Sequence, residues 1–121
     1  METAPIPRLK RRGEFLNVAR KGRKWVMPGM VVQACDALDD TGDRLRVGFT
    51  VSRKVGNAVK RNRARRRLRA VAERLLPVNT KGGIDVVIIG RVTTLNRSFD
   101  KLTSDLAKAL LKLDVLDGQT D

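Results

Sequence analysis

Residues 45–70 read LRVGFTVSRKVGNAVKRNRARRRLRA and place a basic helix shortly after a strand. In the first part, Leu, Val, Phe and Val alternate with Arg, Gly and Thr, a period of two that is typical of a strand with one buried face. No glycine or proline lies between Ala58 and Leu76, and Pro77 ends the run, so this segment is predicted to be helical. Asn57 is expected to cap the helix, because its side-chain oxygen can accept hydrogen bonds from the free amides of the first turn.

The arginines of this helix fall into two rows when the chain is wound at about 100° per residue. One row borders the apolar stripe and is predicted to line a groove beside the sheet; it comprises Arg61, Arg65 and Arg69. The other row is predicted to face outward; it comprises Arg63, Arg67 and Arg74. The helix is therefore expected to present two basic surfaces.

The rest of the chain predicts two more helices and three more strands around this unit. Apolar spacing and breaker residues predict helices at 13–21 and 98–113 and strands at 25–27, 30–35 and 84–89. The resulting order is α-β-β-β-α-β-α. A chain of 121 residues is expected to form one domain, 1–121, with 1–7 and 114–121 as flexible tails.

The charge of the chain favours a polyanionic partner. Lysine and arginine number 26 against 13 aspartates and glutamates, a formal net charge of +13. Segment 8–24 carries eight of these cations and segment 44–74 carries twelve, whereas 99–121 has five aspartates and three lysines. We therefore expect the last helix to face away from the polyanion.

Missing residue types exclude several classes of chemistry. The chain has no histidine and a single cysteine, which excludes histidine-dependent triads, imidazole-assisted RNA hydrolysis and histidine-containing zinc sites. Cys35 is predicted to be a small buried residue, and Trp25 to be a packing residue. The aspartates at 36, 39, 40 and 43 are predicted to form a solvated turn. One cysteine and no long apolar segment indicate a cytoplasmic protein without a membrane span.

The sequence GNAVKRNR at 56–63 closely resembles the hallmark Gly-Asn-Ala-Val-x-Arg-Asn-Arg of the bacterial ribonuclease P protein component. The similarity extends to Arg8-Leu9-Lys10 with Glu14-Phe15, and to the strand at 85–90. The resemblance implies a single RNA-binding domain of the α/β class, an α+β two-layer ribosomal-protein-like fold. It also implies an unusual left-handed β-α-β crossover, which periodicity cannot reveal.

The resemblance implies the role of an accessory subunit. The family's protein joins a catalytic RNA that removes the 5′ leader from precursor tRNA, with the active site and its Mg²⁺ ions mainly in the RNA. The protein alone is then not expected to cleave, and no protein oligomer or membrane is expected to be required.

Two groups of site residues follow from the resemblance. Contact with the catalytic RNA is implied for Asn57, Arg61, Asn62, Arg63, Arg65, Arg66 and Arg69. A cleft for the single-stranded leader is implied for Phe15, Arg46, Thr50, Ser52, Arg53 and Lys54. Gly48 is expected to leave room for a nucleotide backbone. Many relatives have aromatic residues at the positions of Ala19 and Gln33, so charge is expected to dominate leader binding here.

Two other functions compete with this interpretation. A small ribosomal protein or general RNA chaperone shares the size and charge but does not need the ordered Arg61-Asn62-Arg63 motif. A protein-only nuclease would require clustered carboxylates for two metal ions. The candidate acids show no such cluster in the sequence; they are Glu14, Asp36, Glu73, Asp85 and Asp100.

Overall fold

A four-stranded sheet with three helices forms the framework of the protein. The computed structural model describes residues 7–37, 45–76 and 82–116. The elements are α1 (Arg12–Lys21), β1 (Arg23–Met27), β2 (Met30–Asp36), β3 (Leu45–Thr50), α2 (Ala58–Leu75), β4 (Ile84–Gly90) and α3 (Phe99–Lys112). Single 3₁₀ turns occur at Arg53–Val55 and Val92–Leu95. Every predicted element is present with each end within two residues of its predicted position, so the predicted order and the mixed α/β class are confirmed.

The strands lie in the order β1-β2-β4-β3. β1 and β2 form an antiparallel hairpin closed at Pro28 and Gly29, and β2 pairs antiparallel with β4. β3 and β4 are parallel neighbours joined through α2, which is the predicted β-α-β crossover. Its left-handed sense stays a prediction of the resemblance.

The two faces of the sheet carry different helices. α2 and α3 cover one face, where the main core packs strand residues such as Val32 and Ile88 against Leu68 and Leu106. α1 covers part of the other face over a smaller cluster that contains Leu9, Val18 and Val87, with Phe15, Cys35 and Ile89 packed against it. α1 therefore leaves strand surface on its own face that is open to a ligand.

The predicted tails are wrong for the residues that the structure describes. Val115 is fully buried, and its amide donates to the carbonyl oxygen of Leu110 at 2.9 Å. At the other end, the carbonyl oxygen of Pro7 accepts from the amide of Val47 at 2.9 Å. Apolar side chains at 115 and 116 cover the end of α3, which charge patterning alone did not reveal. Residues 1–6 and 117–121 and the predicted turn residues at 39, 40 and 43 lie outside the described residues.

Candidate nucleic-acid interface

The start of α2 is built by local interactions that the sequence predicts. The side-chain oxygen of Asn57 accepts from the amide of Lys60 at 2.9 Å, which confirms the predicted N-cap. Gly56 has φ of 148°, and a Cβ there would lie 2.7 Å from Cδ of Lys60, so glycine meets both requirements. The first turn contains no acidic residue. The positive end of the helix dipole therefore adds to the basic side chains around it.

The N-terminal half of α2 presents arginines that have no acidic partner among the described residues. An open groove on this surface is lined by Val59, Asn62, Arg65, Arg66 and Arg69. Nη1 of Arg65 donates to Oδ1 of Asn62 at 3.0 Å, which orients the guanidinium along the helix. Nε of Arg69 is buried without a hydrogen-bond partner. These side chains therefore retain donors that could meet phosphate oxygens.

The first predicted row of arginines lies at the border of the apolar stripe as predicted, but the groove on this surface is lined by α2 residues alone, without the sheet and without Arg61. Arg61, Arg65 and Arg69 are all half-buried, as expected at the border of an apolar stripe. Nη1 of Arg61 also donates to the carbonyl oxygen of Gly56 at 3.3 Å, which connects the helix to the turn before it.

The second predicted row does not form one outward surface. Arg63 is exposed as predicted. The outward position is wrong for Arg67, whose Nε donates to the carbonyl oxygen of Thr94 at 2.9 Å and whose Nη2 donates to that of Arg97. Arg74 is exposed but pairs with Asp100 at 3.4 Å and lies over the ring of Phe99. Arg67 and Arg74 face α3 and the turn before it, a neighbour that helical periodicity cannot identify.

Arg46 lies in a cluster of acids rather than in an open cleft. Its Nε and Nη2 donate to the two carboxylate oxygens of Asp85, each at 2.8 Å, and its Nη1 donates to Glu14 at 2.8 Å. The Asp85 side chain is fully buried, and that of Arg46 is 13% exposed. The guanidinium of Arg46, implied as a contact in the leader cleft, is therefore engaged by the protein itself, because the fold brings two acids, 32 and 39 residues away, to it.

Glu14 links this cluster to the start of α1. Its Oε1 accepts from the amides of Lys10 at 2.9 Å and Arg11 at 3.0 Å, while Oε2 binds Arg46. The amide of Arg11, then that of Lys10 and the charge of Arg46, outweigh desolvation and hold the pKa of Glu14 below its ordinary value. Glu14 therefore connects the N-terminus of α1 to Arg46 of β3, and Arg46 in turn binds Asp85 of β4.

Gly48 makes room for a protein side chain. A Cβ at this position would lie 2.5 Å from Cε1 of Phe15 and 3.0 Å from Cδ1 of Leu9. The expectation that Gly48 leaves space for a nucleotide backbone is therefore wrong, because Phe15 occupies that space. Phe15 itself is half-buried between α1 and β3.

An uncovered row of side chains crosses the sheet beside α1. Val26 pairs with Val31, Val31 with Ile89, and Ile89 with Thr50, so the four residues share one line across all four strands. We call these four residues the open row. Ile89 packs into the small cluster under α1, which places the row on the α1 face. Thr50 and Val26 are exposed, the latter by 55%, and the two central residues are half-buried.

α1 runs alongside the open row. Near its N-terminus Phe15 contacts Gly48 of β3, and at its C-terminal end Gly22 lies against the carbonyl oxygen of Ala34 in β2. These contacts are two and three residues along the strands from the open row, about 7–10 Å. The helix therefore forms one wall of a cleft, and the open row forms its floor.

Four of the predicted cleft residues, Thr50, Ser52, Arg53 and Lys54, lie at one end of the open row, whereas Phe15 lies on α1 against Gly48. Ser52, Arg53 and Lys54 follow Thr50 after the buried Val51, and Thr50 and these three residues are all exposed. Oγ of Ser52 accepts from the amide of Lys54 at 3.3 Å and so shapes the turn toward α2. Val26, Val31 and Ile89 were not predicted as site residues, because they form one row with Thr50 only where β4 lies between β2 and β3.

Cys35 and Trp25 differ in part from the predictions. Cys35 is half-buried, and its Sγ lies 3.2 Å from Nδ2 of Asn17, which donates to it. Burial, with the charges of Asp85 and Asp36, raises the pKa of the Cys35 thiol. Trp25 is 38% exposed on β1, with the ammonium group of Lys112 over its ring.

The acids of the described residues do not form a metal-binding cluster. Within residues 7–37, 45–76 and 82–116, no three Cys, Asp or Glu side chains converge in a way that could hold an ion. Glu14 and Asp85 do meet, but they meet on the guanidinium of Arg46.

Among the described helices, none combines the length and the apolar character needed to cross a membrane.

The fold and this surface together define a class: a small, strongly basic α/β domain with uncompensated arginines on one helix, a combination typical of nucleic-acid-binding proteins. Residues 5–114 match the family model described as Ribonuclease P. The chain is 50% identical over 115 residues to the ribonuclease P protein component of Paramagnetospirillum magneticum, covering 93% of this chain and 86% of that protein. It is 52% identical over 111 residues to that of Gluconacetobacter diazotrophicus, covering 89% and 91%.

Solved structures agree with the sequence comparison. The RNase P protein of Staphylococcus aureus superposes with a TM-score of 0.76 at 25% identity, covering 93% of this chain and all of that one. The RNase P protein of Thermotoga maritima gives 0.71 at 29% identity, covering 92% and 98%. The chain belongs to the ribonuclease P protein family.

Proposed function

We propose that this chain is the protein subunit of a cytoplasmic ribonuclease P ribonucleoprotein. In this role it assists a catalytic RNA in the Mg²⁺-dependent endonucleolytic removal of the 5′ leader from precursor tRNA. The observation that carries the proposal is the juxtaposition of two surfaces: arginines without acidic partners on the first half of α2, and an uncovered cleft beside α1. Family membership supports the same role.

The first half of α2 is the proposed surface for the catalytic RNA. Guanidinium groups present a planar set of donors that matches phosphate oxygens, and the helix dipole adds positive potential at the same end. Without an anion these like charges repel one another, so binding a polyanion relieves the repulsion. The residues proposed to contact the catalytic RNA are Asn57, Arg61, Asn62, Arg63, Arg65, Arg66 and Arg69.

The cleft beside α1 is the proposed site for the single-stranded leader. Its proposed contacts are Phe15, Thr50, Ser52, Arg53 and Lys54, and the aliphatic members of the open row form its floor. Among the described residues, Phe15 is the one aromatic side chain beside it, so stacking of about 1–3 kcal/mol per base is restricted to Phe15. Arg46 acts here as a positioning residue, since it binds Glu14 and so holds α1 over the sheet.

In the proposed complex the RNA holds most of the magnesium. Mg²⁺ supplies activation of the attacking water and stabilisation of charge on the phosphate. Glu14 and Asp85, two described acidic side chains that meet at one guanidinium, are bound to Arg46. The contribution of this chain is then to bind and orient RNA phosphates beside that centre.

The test is cleavage of a precursor tRNA at low, near-physiological magnesium. Three reactions contain the cognate catalytic RNA alone, this protein alone, and both together. We expect efficient cleavage only in the mixture, with the product cut at the mature 5′ end. The double variant Arg65→Ala/Arg66→Ala should raise the magnesium concentration needed by the mixture, whereas Lys101→Ala/Lys108→Ala on α3 should leave it unchanged.

The other outcomes point to the competing functions. Cleavage by the protein alone would identify a protein-only nuclease. Tight RNA binding without any stimulation of cleavage would favour a ribosomal protein or an RNA chaperone.

A further inference from the structure

We propose that the leader cleft continues across the whole sheet to the edge strand β1, where Lys24 and Val26 form a distal subsite for the 5′ part of a long leader. This inference rests on the proposed function. Val26 is the last member of the open row. Lys24 pairs with Gln33 and precedes Val26 by two residues, so both side chains project from the α1 face, and both are exposed.

The direction of the leader follows from where its two ends must lie. The bond that is cut is at the 3′ end of the leader, and the catalytic RNA is proposed to contact α2. The cleft meets α2 at Thr50 and the turn that follows it. Nucleotides progressively farther from the cut bond therefore run along the open row toward Val26.

The length of the open row sets how many nucleotides it spans. Four adjacent strands have three spacings of about 4.8 Å, so the row is about 14 Å long. A stacked strand advances about 3.4 Å per nucleotide, so the row spans roughly four nucleotides when stacked and fewer when extended. A short leader ends over β3 and β4, and only a longer one reaches β1.

The charges on this face suit a polyanion that lies along the open row from Lys54 to Lys24, a path that we call the track. Glu14 and Asp85 lie under α1, and both are bound to Arg46. Arg53 and Lys54 at one end of the track and Lys24 at the other form no ion pair within the part of the chain that the structure describes. A phosphate chain laid on the aliphatic floor therefore meets a cation at each end.

The floor of the track favours dependence on leader length over dependence on leader sequence. Val26, Val31 and Ile89 offer methyl groups that pack against a sugar or a base without selecting hydrogen bonds. Ala19 lies one helical turn after Phe15 on the same side of α1 and is small, so it leaves the track open. Lys24 contacts a phosphate, which every nucleotide carries.

The experiment measures affinity of the holoenzyme for precursor tRNAs that differ only in leader length. One leader has about two nucleotides and the other about eight, respectively shorter and longer than the track. The protein carries either Lys24→Glu or the matched control Lys108→Glu. Lys108 is also exposed, but it lies on α3, which covers the opposite face of the sheet.

We expect Lys24→Glu to weaken binding of the long-leader substrate by roughly tenfold, as for loss of a charge-assisted contact, and to leave short-leader binding within twofold of wild type. Lys108→Glu should affect both substrates equally and slightly. Equal weakening of both substrates by Lys24→Glu, or no weakening of either, would overturn the distal subsite. If wild-type holoenzyme gained no affinity from the longer leader, the proposed leader cleft itself would fail.

Discussion

Arg46 and Arg66 differ in the burial of their side chains and in the partners of their guanidinium groups. Arg46 donates to two carboxylates and is nearly buried, whereas Arg66 is exposed at a groove and has no acidic partner among the described residues. Arg67 and Arg97 resemble Arg46, since the first donates to two carbonyl oxygens and the second pairs with the buried Asp105. Arginines whose donors bind protein acceptors hold the fold together, and those without acidic partners among the described residues form the proposed RNA surface.

We expect the stability of the fold and the binding of RNA to depend on different arginines. Removing an arginine that is bound by buried protein acceptors leaves those acceptors unpaired, which lowers the free energy of unfolding. Removing an arginine that has no acidic partner leaves no protein group unpaired, and it also lowers the repulsion between like charges in the folded protein. Variants of arginines bound by protein acceptors should therefore lower the free energy of unfolding, and variants of arginines without acidic partners should lower the affinity for RNA.

The largest effect is expected for Arg46→Met. This change leaves the fully buried carboxylate of Asp85 without its cation, and such losses typically cost about 3–5 kcal/mol. Urea unfolding followed by circular dichroism measures the free energy of unfolding. Arg66→Met is the matched control and should change that free energy by less than about 0.5 kcal/mol. The double variant Arg46→Met/Asp85→Leu should recover much of the loss, and failure to recover any would show that Arg46 acts through something other than Asp85.

A smaller loss is expected at the second buried carboxylate, Asp105. It accepts from Nε and Nη2 of Arg97 at 2.7 and 3.2 Å and from the buried amide of Gly29 at 3.0 Å, so Asp105→Ala leaves three donors without their acceptor. We expect a loss of about 2–3 kcal/mol in the free energy of unfolding. Asp100→Ala removes the exposed pair with Arg74 and should cost less than about 1 kcal/mol. Similar losses for both variants would contradict the distinction between buried and exposed pairs.

The third prediction concerns affinity for the catalytic RNA. Arg65→Ala/Arg66→Ala should weaken binding about tenfold or more and reduce the slope of log affinity against log salt by about 1.4–1.8, because each lost phosphate contact contributes roughly 0.7–0.9. Filter binding at several salt concentrations measures both quantities. The control Lys101→Ala/Lys108→Ala removes the same charge from α3. An equal loss in this control would indicate general attraction rather than a site on α2.

A further test separates the two roles open to Asn57. As a cap it binds the amide of Lys60, and Asn57→Ala should cost about 1 kcal/mol in the free energy of unfolding. Asn57→Asp restores the cap acceptor but places a negative charge beside the proposed RNA surface. We expect Asn57→Asp to match wild type in urea unfolding and to bind the catalytic RNA more weakly. Full RNA affinity in Asn57→Asp would limit Asn57 to its capping role.

Features that depend on neighbouring residues could be predicted from the sequence. The cap at Asn57 and the end of α2 are encoded within a few positions, as is the Ser98 cap, whose Oγ accepts from the amide of Lys101. The alternation in 45–51 likewise identified the strand and the side of it that carries Arg46 and Gly48.

Features that depend on distant residues could not be predicted in this way. The partners of Arg46 come from α1 and β4, and the ring that fills the space above Gly48 comes from α1. The open row requires β4 to lie between β2 and β3, an order that no local pattern specifies. The sequence therefore shows which residues are basic, whereas the fold determines which of them bind protein acceptors and which can bind a ligand.

The smallest predicted effect is a pH dependence of stability from Glu14, the carboxylate that α1 contributes to the Arg46 cluster. Its pKa is lower in the folded protein than its ordinary value, so its contribution is complete above the ordinary value and is lost as the pH falls through the lowered one. Glu14→Gln lacks this titration. The difference in free energy of unfolding between wild type and Glu14→Gln should therefore be constant near neutral pH and shrink below about pH 5. Urea unfolding over a pH series measures this difference, and curves that stay parallel down to the lowest pH would show that the Glu14 carboxylate contributes no charge-dependent stability to the attachment of α1.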